Sequence, residues 1–271
     1  MSASATSNPK PGRPFWVGTS WKMNGLPDDA RRYAERIAAV DDWHGIRPFV
    51  MPPFTVLADV ARLLHGSAVQ VGGQNMHWDE SGSWTGEISA PMLRQCGATM
   101  VELGHSERRR HFGETDETVN WKIHAALRHG LTPLVCIGET QAERDGNVAD
   151  LILARQVRLA LHGLTAAQAG RVMFAYEPVW AIGEAGRPAP PELVAQAAAG
   201  IRQELDRAAG APGVSPPLLY GGSVNLENAA PYAALADIDG LFVGRAAWTA
   251  EGYATLARTA SRTLAAPRPE P

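Results

Sequence analysis

The sequence predicts a single-domain α/β protein folded as a closed (β/α)8 barrel, and three observations carry that prediction. Short apolar runs alternate with longer amphipathic segments eight times, the pattern of strand-then-helix units around a parallel sheet. The length of 271 residues is ordinary for one such barrel, which runs to about 250 residues. The rival architecture, an open doubly wound sheet, calls for a Gly-x-Gly-x-x-Gly turn after the first strand, and none is present.

Taken in order, the apolar runs place strands at 15–19, 48–51, 68–72, 99–103, 133–137, 172–176, 218–220 and 240–243. Helices are expected to begin near Pro27, Thr55, Ser89, Thr115, Thr140, Pro190, Asn225 and Ala246. Several of these starts carry a capping residue, an acidic first turn or an early proline, as in Pro27-Asp28-Asp29, Ser89-Ala90-Pro91 and Thr115-Asp116-Glu117. Thr140 to Glu143 has the spacing of a capping box. The barrel is expected over 15–264. Residues 1–14, rich in Ser, Ala and Pro without an apolar core, read as a disordered arm and not a signal peptide, and 265–271 as a tail.

Composition narrows the function. A hydrophobic share of 45% and a charged share of 20% suit a soluble globular chain, and no apolar run approaches the roughly 20 residues a membrane helix needs. The net charge of −3 supplies no field to gather nucleic acid or an anionic membrane, so an anionic ligand must be held by local dipoles and single cations. Cys96 and Cys136, the two cysteines, read as small core residues kept reduced in a cytoplasm. No cluster of His, Cys and carboxylates has ligand spacing, so neither metal nor cofactor is expected.

In a barrel of this kind the loops that follow the strands gather on the face that carries the chemistry. Behind the sixth strand, Tyr176-Glu177-Pro178 brings a carboxylate to the strand end, and the proline fixes the backbone just past it. Behind the first comes Ser20-Trp21-Lys22. Behind the fourth, His105 stands between Gly104 and a short helical run. The amino end of a helix disfavours imidazolium, so this histidine can donate a hydrogen bond while uncharged. The adjoining Arg108-Arg109-Arg110 reads as a salt-bridged face. Gly221-Gly222-Ser223 and Gly244-Arg245, behind the last two strands, can turn backbone N–H groups toward a phosphate. The long loop 73–87 carries Trp78 and Trp84 and suits a lid or a partner surface.

With these residues in view, the chain resembles the triosephosphate isomerase family over about 15–260. The likeness rests on Trp21-Lys22-Met23-Asn24, Gln74-Asn75, Thr85-Gly86-Glu87, Gly104-His105-Ser106-Glu107-Arg108-Arg109, Cys136-Ile137-Gly138-Glu139, the run from Tyr176 to Gly183, the run from Tyr220 to Asn225, and Asp239-Gly240. It implies a TIM (β/α)8 barrel with Glu177 as catalytic base, His105 as neutral electrophile, Lys22 as the cation beside an enediolate and Glu107 as a supporting carboxylate. That family is itself a standard worked case of pKa tuning, so the neutral histidine and the carboxylate base come with the likeness. Also implied are substrate contacts from Ser20, Lys22, Gly183, Ser223, Gly244 and Arg245, and a lid containing Ala181, Ile182, Gly183, Glu184 and Gly186. A homodimer is implied too, with the loop after the third strand carrying Thr85 toward the partner's site.

The chain departs from the family pattern at four places. Ser20 stands where it has Asn, Glu184-Ala185-Gly186-Arg187-Pro188 replaces the usual lid tip, Phe242 replaces Leu near the base, and Arg245 replaces a Gly. The smaller Ser20 leaves room for one extra hydroxymethyl group on the reacting carbon. The substrate would then be L-erythrulose 1-phosphate and the product D-erythrulose 4-phosphate. Met76-His77-Trp78, the lid pattern from Gly183 and Gly244-Arg245 resemble a branch of the family with that role in erythritol breakdown. Two isomerase readings therefore stand: the glycolytic interconversion of D-glyceraldehyde 3-phosphate and dihydroxyacetone phosphate, and the four-carbon reaction. A barrel that binds a phosphorylated ligand without turnover is a third reading. An indole- or histidine-pathway barrel is a fourth, which would not need His105 together with Glu177.

Overall fold

The computed structural model describes residues 14–183, 186–211 and 213–266. Strands β1 (Phe15–Ser20), β2 (Ile46–Met51), β3 (Gln70–Gly73), β4 (Met100–Leu103), β5 (Thr132–Ile137), β6 (Met173–Tyr176), β7 (Leu218–Tyr220) and β8 (Gly240–Val243) pair in chain order to form a closed barrel. Every pairing is parallel, and β1 meets β8 with Trp16 opposite Gly240.

Alternation along each strand sorts side chains into two compartments. Val17, Val50, Val101, Val135, Phe174 and Leu241 point outward and pack under the helices. Trp16, Phe49, Met51, Met100, Leu134, Met173, Leu219 and Phe242 fill the barrel. Bulk on one strand is matched by its absence on the next: a Cβ on Gly18 would lie 1.9 Å from the Phe49 ring. By the same alternation Ser20 on β1 and Glu102 on β4 face inward beneath the barrel mouth.

The helix starts follow the local chemistry. Pro27–Ala38 opens on proline with Asp28 and Asp29 in its first turn, Asp116–Arg128 is capped by Thr115, and Pro191–Ala208 opens on proline. At Thr140 the Glu143 carboxylate accepts the Thr140 N–H at 2.7 Å, closing the capping box. That helix, Gln141–Asp145, is short; the chain turns at Gly146 and at Asn147 (φ 55°), and Ala149–Ala160 covers the barrel instead. No helix starts at Asn225, because its side chain accepts the N–H groups of Glu227 and Asn228 in a local turn, and a short helix follows at Ala229–Ala233. Residues Arg245–Ala247 form a 3-10 turn ahead of the final helix, Ala250–Ala265.

Two expectations need correction. Cys96 is exposed at the end of helix Ala90–Gln95 and is no core residue, whereas Cys136 is buried inside the barrel. The last helix runs through Ala265, one residue into the expected tail. Residues 1–13 of the expected arm and 267–271 of the tail lie outside the described residues. Among the described residues no helix is long and apolar enough to cross a membrane.

Candidate active site

A cavity of about 740 Å³ opens where the strands end, and Ser20, Lys22, His105, Glu107, Glu177, Ile182, Gly183, Gly186, Ser223, Gly244 and Arg245 all line it. Groups drawn from five strand ends (β1, β4, β6, β7 and β8) thus meet at one face, as the barrel rule requires. Of the other residues singled out in the sequence, Ala181 is buried beside the lining, Thr85 is exposed and does not line it, and Glu184 lies outside the described residues.

Lys22 leaves β1 with φ at 53°, a conformation a side chain adopts only under local constraint. Gln74 supplies the constraint: its amide donates to the carbonyls of Lys22 (3.0 Å) and Met51 (2.8 Å). The Lys22 ammonium then reaches Glu107 Oε1 at 2.6 Å. Burial would lower its pKa, but the Glu107 bond and the charges of Glu177, Glu107 and Glu102 outweigh burial and raise it. For Glu107, burial is outweighed in turn by Lys22 and His105, which hold the carboxyl below its ordinary range.

His105 follows Gly104, whose φ of 72° makes the turn out of β4. Gly104 is anchored at both ends. Its N–H donates to Glu114 Oε2 (3.1 Å) and its carbonyl accepts Arg109 Nε–H (2.7 Å). Glu114 is itself paired with buried Lys122, which also donates to Asn75 Oδ1 at 2.9 Å. Arg109 also pairs with Asp116, so this arginine belongs to a salt-bridged turn. His105 Nδ1 accepts the Glu107 N–H at 3.1 Å, which puts the ring proton on Nε2. Burial, with the positive charges of Lys22 and Arg108, pushes the imidazole pKa down to about 4, so the ring is uncharged at neutral pH.

Glu177 lies just past β6, its N–H bonded to Ile137 O at 2.7 Å. Its Oε2 is buried without a hydrogen-bond partner and is 3.5 Å from His105 Nε2, beyond a well-formed hydrogen bond. Burial and the nearby Glu102 charge push the carboxyl pKa up to about 8, against the pull of Lys22. A carboxyl group of raised pKa with one unpartnered oxygen is thereby placed beside a neutral N–H donor and an ammonium group.

On the far side, residues 181–183 after β6 are tied to the neighbouring turns. Ser223 Oγ–H donates to Ala181 O at 2.7 Å, and Arg245 Nη2 to Gly183 O at 3.3 Å. At the end of β6, Trp180 Nε1–H and the Tyr176 hydroxyl both donate to Glu139 Oε1, at 2.8 and 3.3 Å. The Asn75, Glu114, Lys122 and Glu139 contacts were not legible as site supports in the sequence, because each acts through a backbone group or a second side chain distant in the chain. Among the described residues no group of three or more His, Cys, Asp and Glu side chains could hold a metal ion.

A general base, an uncharged hydrogen-bond donor and a cation converging at a barrel mouth fit proton transfer next to a carbonyl, where negative charge on oxygen must be stabilised. The sequence model of the triosephosphate isomerase family matches residues 15–260. The chain is 52% identical over 257 residues to a protein named L-erythrulose-1-phosphate isomerase from Mesorhizobium japonicum, covering 92% of this chain and 98% of that one. It is 50% identical over 259 residues to a protein of the same name from Brucella abortus, covering 93% and 98%. Its fold is similar to the crystal structure of triosephosphate isomerase from Bartonella henselae, with a TM-score of 0.80, 35% identity and coverage of 91% of this chain and 98% of that one. The chain belongs to the triosephosphate isomerase family and is an isomerase.

Proposed function

We propose that the chain interconverts L-erythrulose 1-phosphate and D-erythrulose 4-phosphate, with Glu177 as base, His105 and Lys22 as stabilisers of the enediolate oxygen, and Glu107 holding Lys22. The observation that carries the chemistry is the unpartnered Glu177 Oε2, buried in the same cavity as neutral His105 and Lys22. The four-carbon substrate is supported by the name of the relatives at 50–52% identity and by Ser20 in the lining.

In this reading Glu177 takes the proton from C3, the carbon that bears the hydroxymethyl group. The electron pair moves into the C2–C3 bond and onto the C2 oxygen, which accepts the His105 Nε2–H bond beside the Lys22 ammonium. The proton of the C3 hydroxyl passes to the C2 oxygen and Glu177 returns its proton to C2, leaving a hydroxyl on C2 and the carbonyl on C3. Substrate and product are isomers, so no oxidant or reductant enters. Backbone groups of Gly183 and Gly244, with Ser223 and Arg245, surround the phosphate, and the lid excludes the water that would favour loss of phosphate from the enediol. A homodimer belongs to the same reading, supported by Trp84, still 47% exposed next to Thr85 on the loop after β3.

The test is kcat/KM on L-erythrulose 1-phosphate and on D-glyceraldehyde 3-phosphate with one enzyme preparation. A preference for the four-carbon sugar is expected. A preference for the three-carbon sugar would return the chain to the glycolytic reaction, and phosphate-ligand binding without turnover on either would leave a binding barrel.

A further inference from the structure

Glu102 is a buried carboxyl to which the chemistry above assigns no step. It is 2% exposed, on a strand whose other residues, Met100, Val101 and Leu103, are all apolar and buried. Its Oε2 accepts the Ser20 hydroxyl proton at 2.8 Å, and its Oε1 is 3.9 Å from the Cys136 thiol. Among the described residues no Lys or Arg nitrogen is within ion-pairing distance of it. A carboxyl so placed is costly to bury, and an apolar side chain of similar volume would suit the surrounding barrel core at least as well. It also works against ionisation of the base, since its charge raises the Glu177 pKa. Its one contribution to the chemistry is to add to the negative charge that keeps Lys22 protonated, which Glu107 and Glu177 already supply, so folding and proton transfer give it no separate reason.

Its contact with Ser20 does. Ser20 lines the reaction cavity together with Lys22, His105, Glu177 and Phe242, while Glu102 is behind it. A serine hydroxyl has one proton and two lone pairs. With the proton committed to Glu102, the oxygen presents an acceptor to the cavity. The four-carbon substrate differs from the three-carbon one by a hydroxymethyl group on the reacting carbon, which ends in an O–H donor. Reading an extra methylene alone separates substrates only about 10- to 200-fold, whereas a site built to bond a hydroxyl discriminates far more strongly against the analogue that lacks it.

We propose that Ser20 and Glu102 form a hydroxyl-reading pair: Ser20 Oγ accepts the terminal hydroxyl of the sugar, and Glu102 is the positioning residue that fixes the direction of the Ser20 proton. This rests on the four-carbon reading above. The test measures kcat/KM on L-erythrulose 1-phosphate and D-glyceraldehyde 3-phosphate for the wild type, Glu102→Leu, Glu102→Gln and Ser20→Ala. The ratio of the two values is the readout, because lost folding or an altered Glu177 pKa lowers both terms together. Glu102→Leu and Ser20→Ala are each expected to reduce the four-carbon preference by about 100-fold or more. Glu102→Gln, whose amide oxygen can still accept the Ser20 proton, is expected to keep it within a few-fold. A wild-type preference that survives both Glu102→Leu and Ser20→Ala overturns the pair and leaves the four-carbon reading standing. Loss in Glu102→Gln as complete as in Glu102→Leu overturns the acceptor role. A wild type without four-carbon preference overturns both readings at once.

Discussion

Replacing Gly221 by Ala adds one methyl group whose nearest surroundings are the proposed base. A Cβ built there lies 2.7 Å from both Glu177 Cγ and Oε1 and 3.2 Å from its carboxyl carbon. Comfortable contact between such atoms is about 3.5–4.0 Å, so the carboxylate must retreat by roughly 1 Å. It has little room, being buried with His105 Nε2 at 3.5 Å. A misplacement of about 1 Å in a reacting group costs on the order of 10²-fold in rate. Gly221 is not among the glycines with positive φ, so alanine fits its backbone. The assay is steady-state kinetics on the preferred sugar phosphate beside thermal unfolding of the same sample. A kcat about 100-fold lower, KM within a few-fold and a melting temperature within a few degrees are expected. A kcat within about threefold of wild type would refute the idea that this carboxylate must stand where it does.

Glu177→Asp withdraws the carboxylate by one methylene and should lower kcat by at least about 100-fold with a small effect on KM; an unchanged kcat removes Glu177 as base. Lys22→Met should abolish most activity while circular dichroism stays native, since the ammonium is bonded to the partly exposed Glu107 and not to the core; collapse of the spectrum would make Lys22 structural. The pKa values of Glu102 and Glu177 are raised by burial to about 7 and about 8, so the folded chain holds these protons more tightly than the unfolded chain. Their stabilisation is complete below their ordinary value of 4.5 and is lost as pH rises through about 7 and 8. The urea midpoint should therefore fall between about pH 4.5 and pH 8, and fall less in Glu102→Leu; a midpoint that rises over that window contradicts the burial argument.

The barrel was legible because closure, alternation and caps are all local signals that agree: eight apolar runs, Pro27 with its acidic turn, and the Thr140–Glu143 box each specify their own segment. Boundaries were misread where a side chain competed with the helix, as Asn225 does by capping its own turn. Lys22, His105 and Glu177 were legible because each follows a strand and belongs to a long motif. Their supports were not. Glu114 with Lys122 reaches Gly104 through a backbone N–H, and Gln74 constrains Lys22 through a carbonyl, contacts that no spacing encodes. Glu102 is different, since a single carboxylate in the apolar run Met100 to Leu103 violates strand patterning. That violation was the available signal that set Glu102 apart from its strand. Cys96 was misread because an apolar neighbourhood in sequence became the exposed end of a short helix.

The central claim is proton transfer by Glu177 through an enediolate, and isotope incorporation tests it most directly. With L-erythrulose 1-phosphate turned over in deuterium oxide, NMR of the recovered sugars should show solvent deuterium on the carbon that gains hydrogen, and Glu177→Asp should slow that incorporation in step with turnover. Rapid isomerisation with the original hydrogen wholly retained and no deuterium gained would indicate an internal hydride shift and contradict the account.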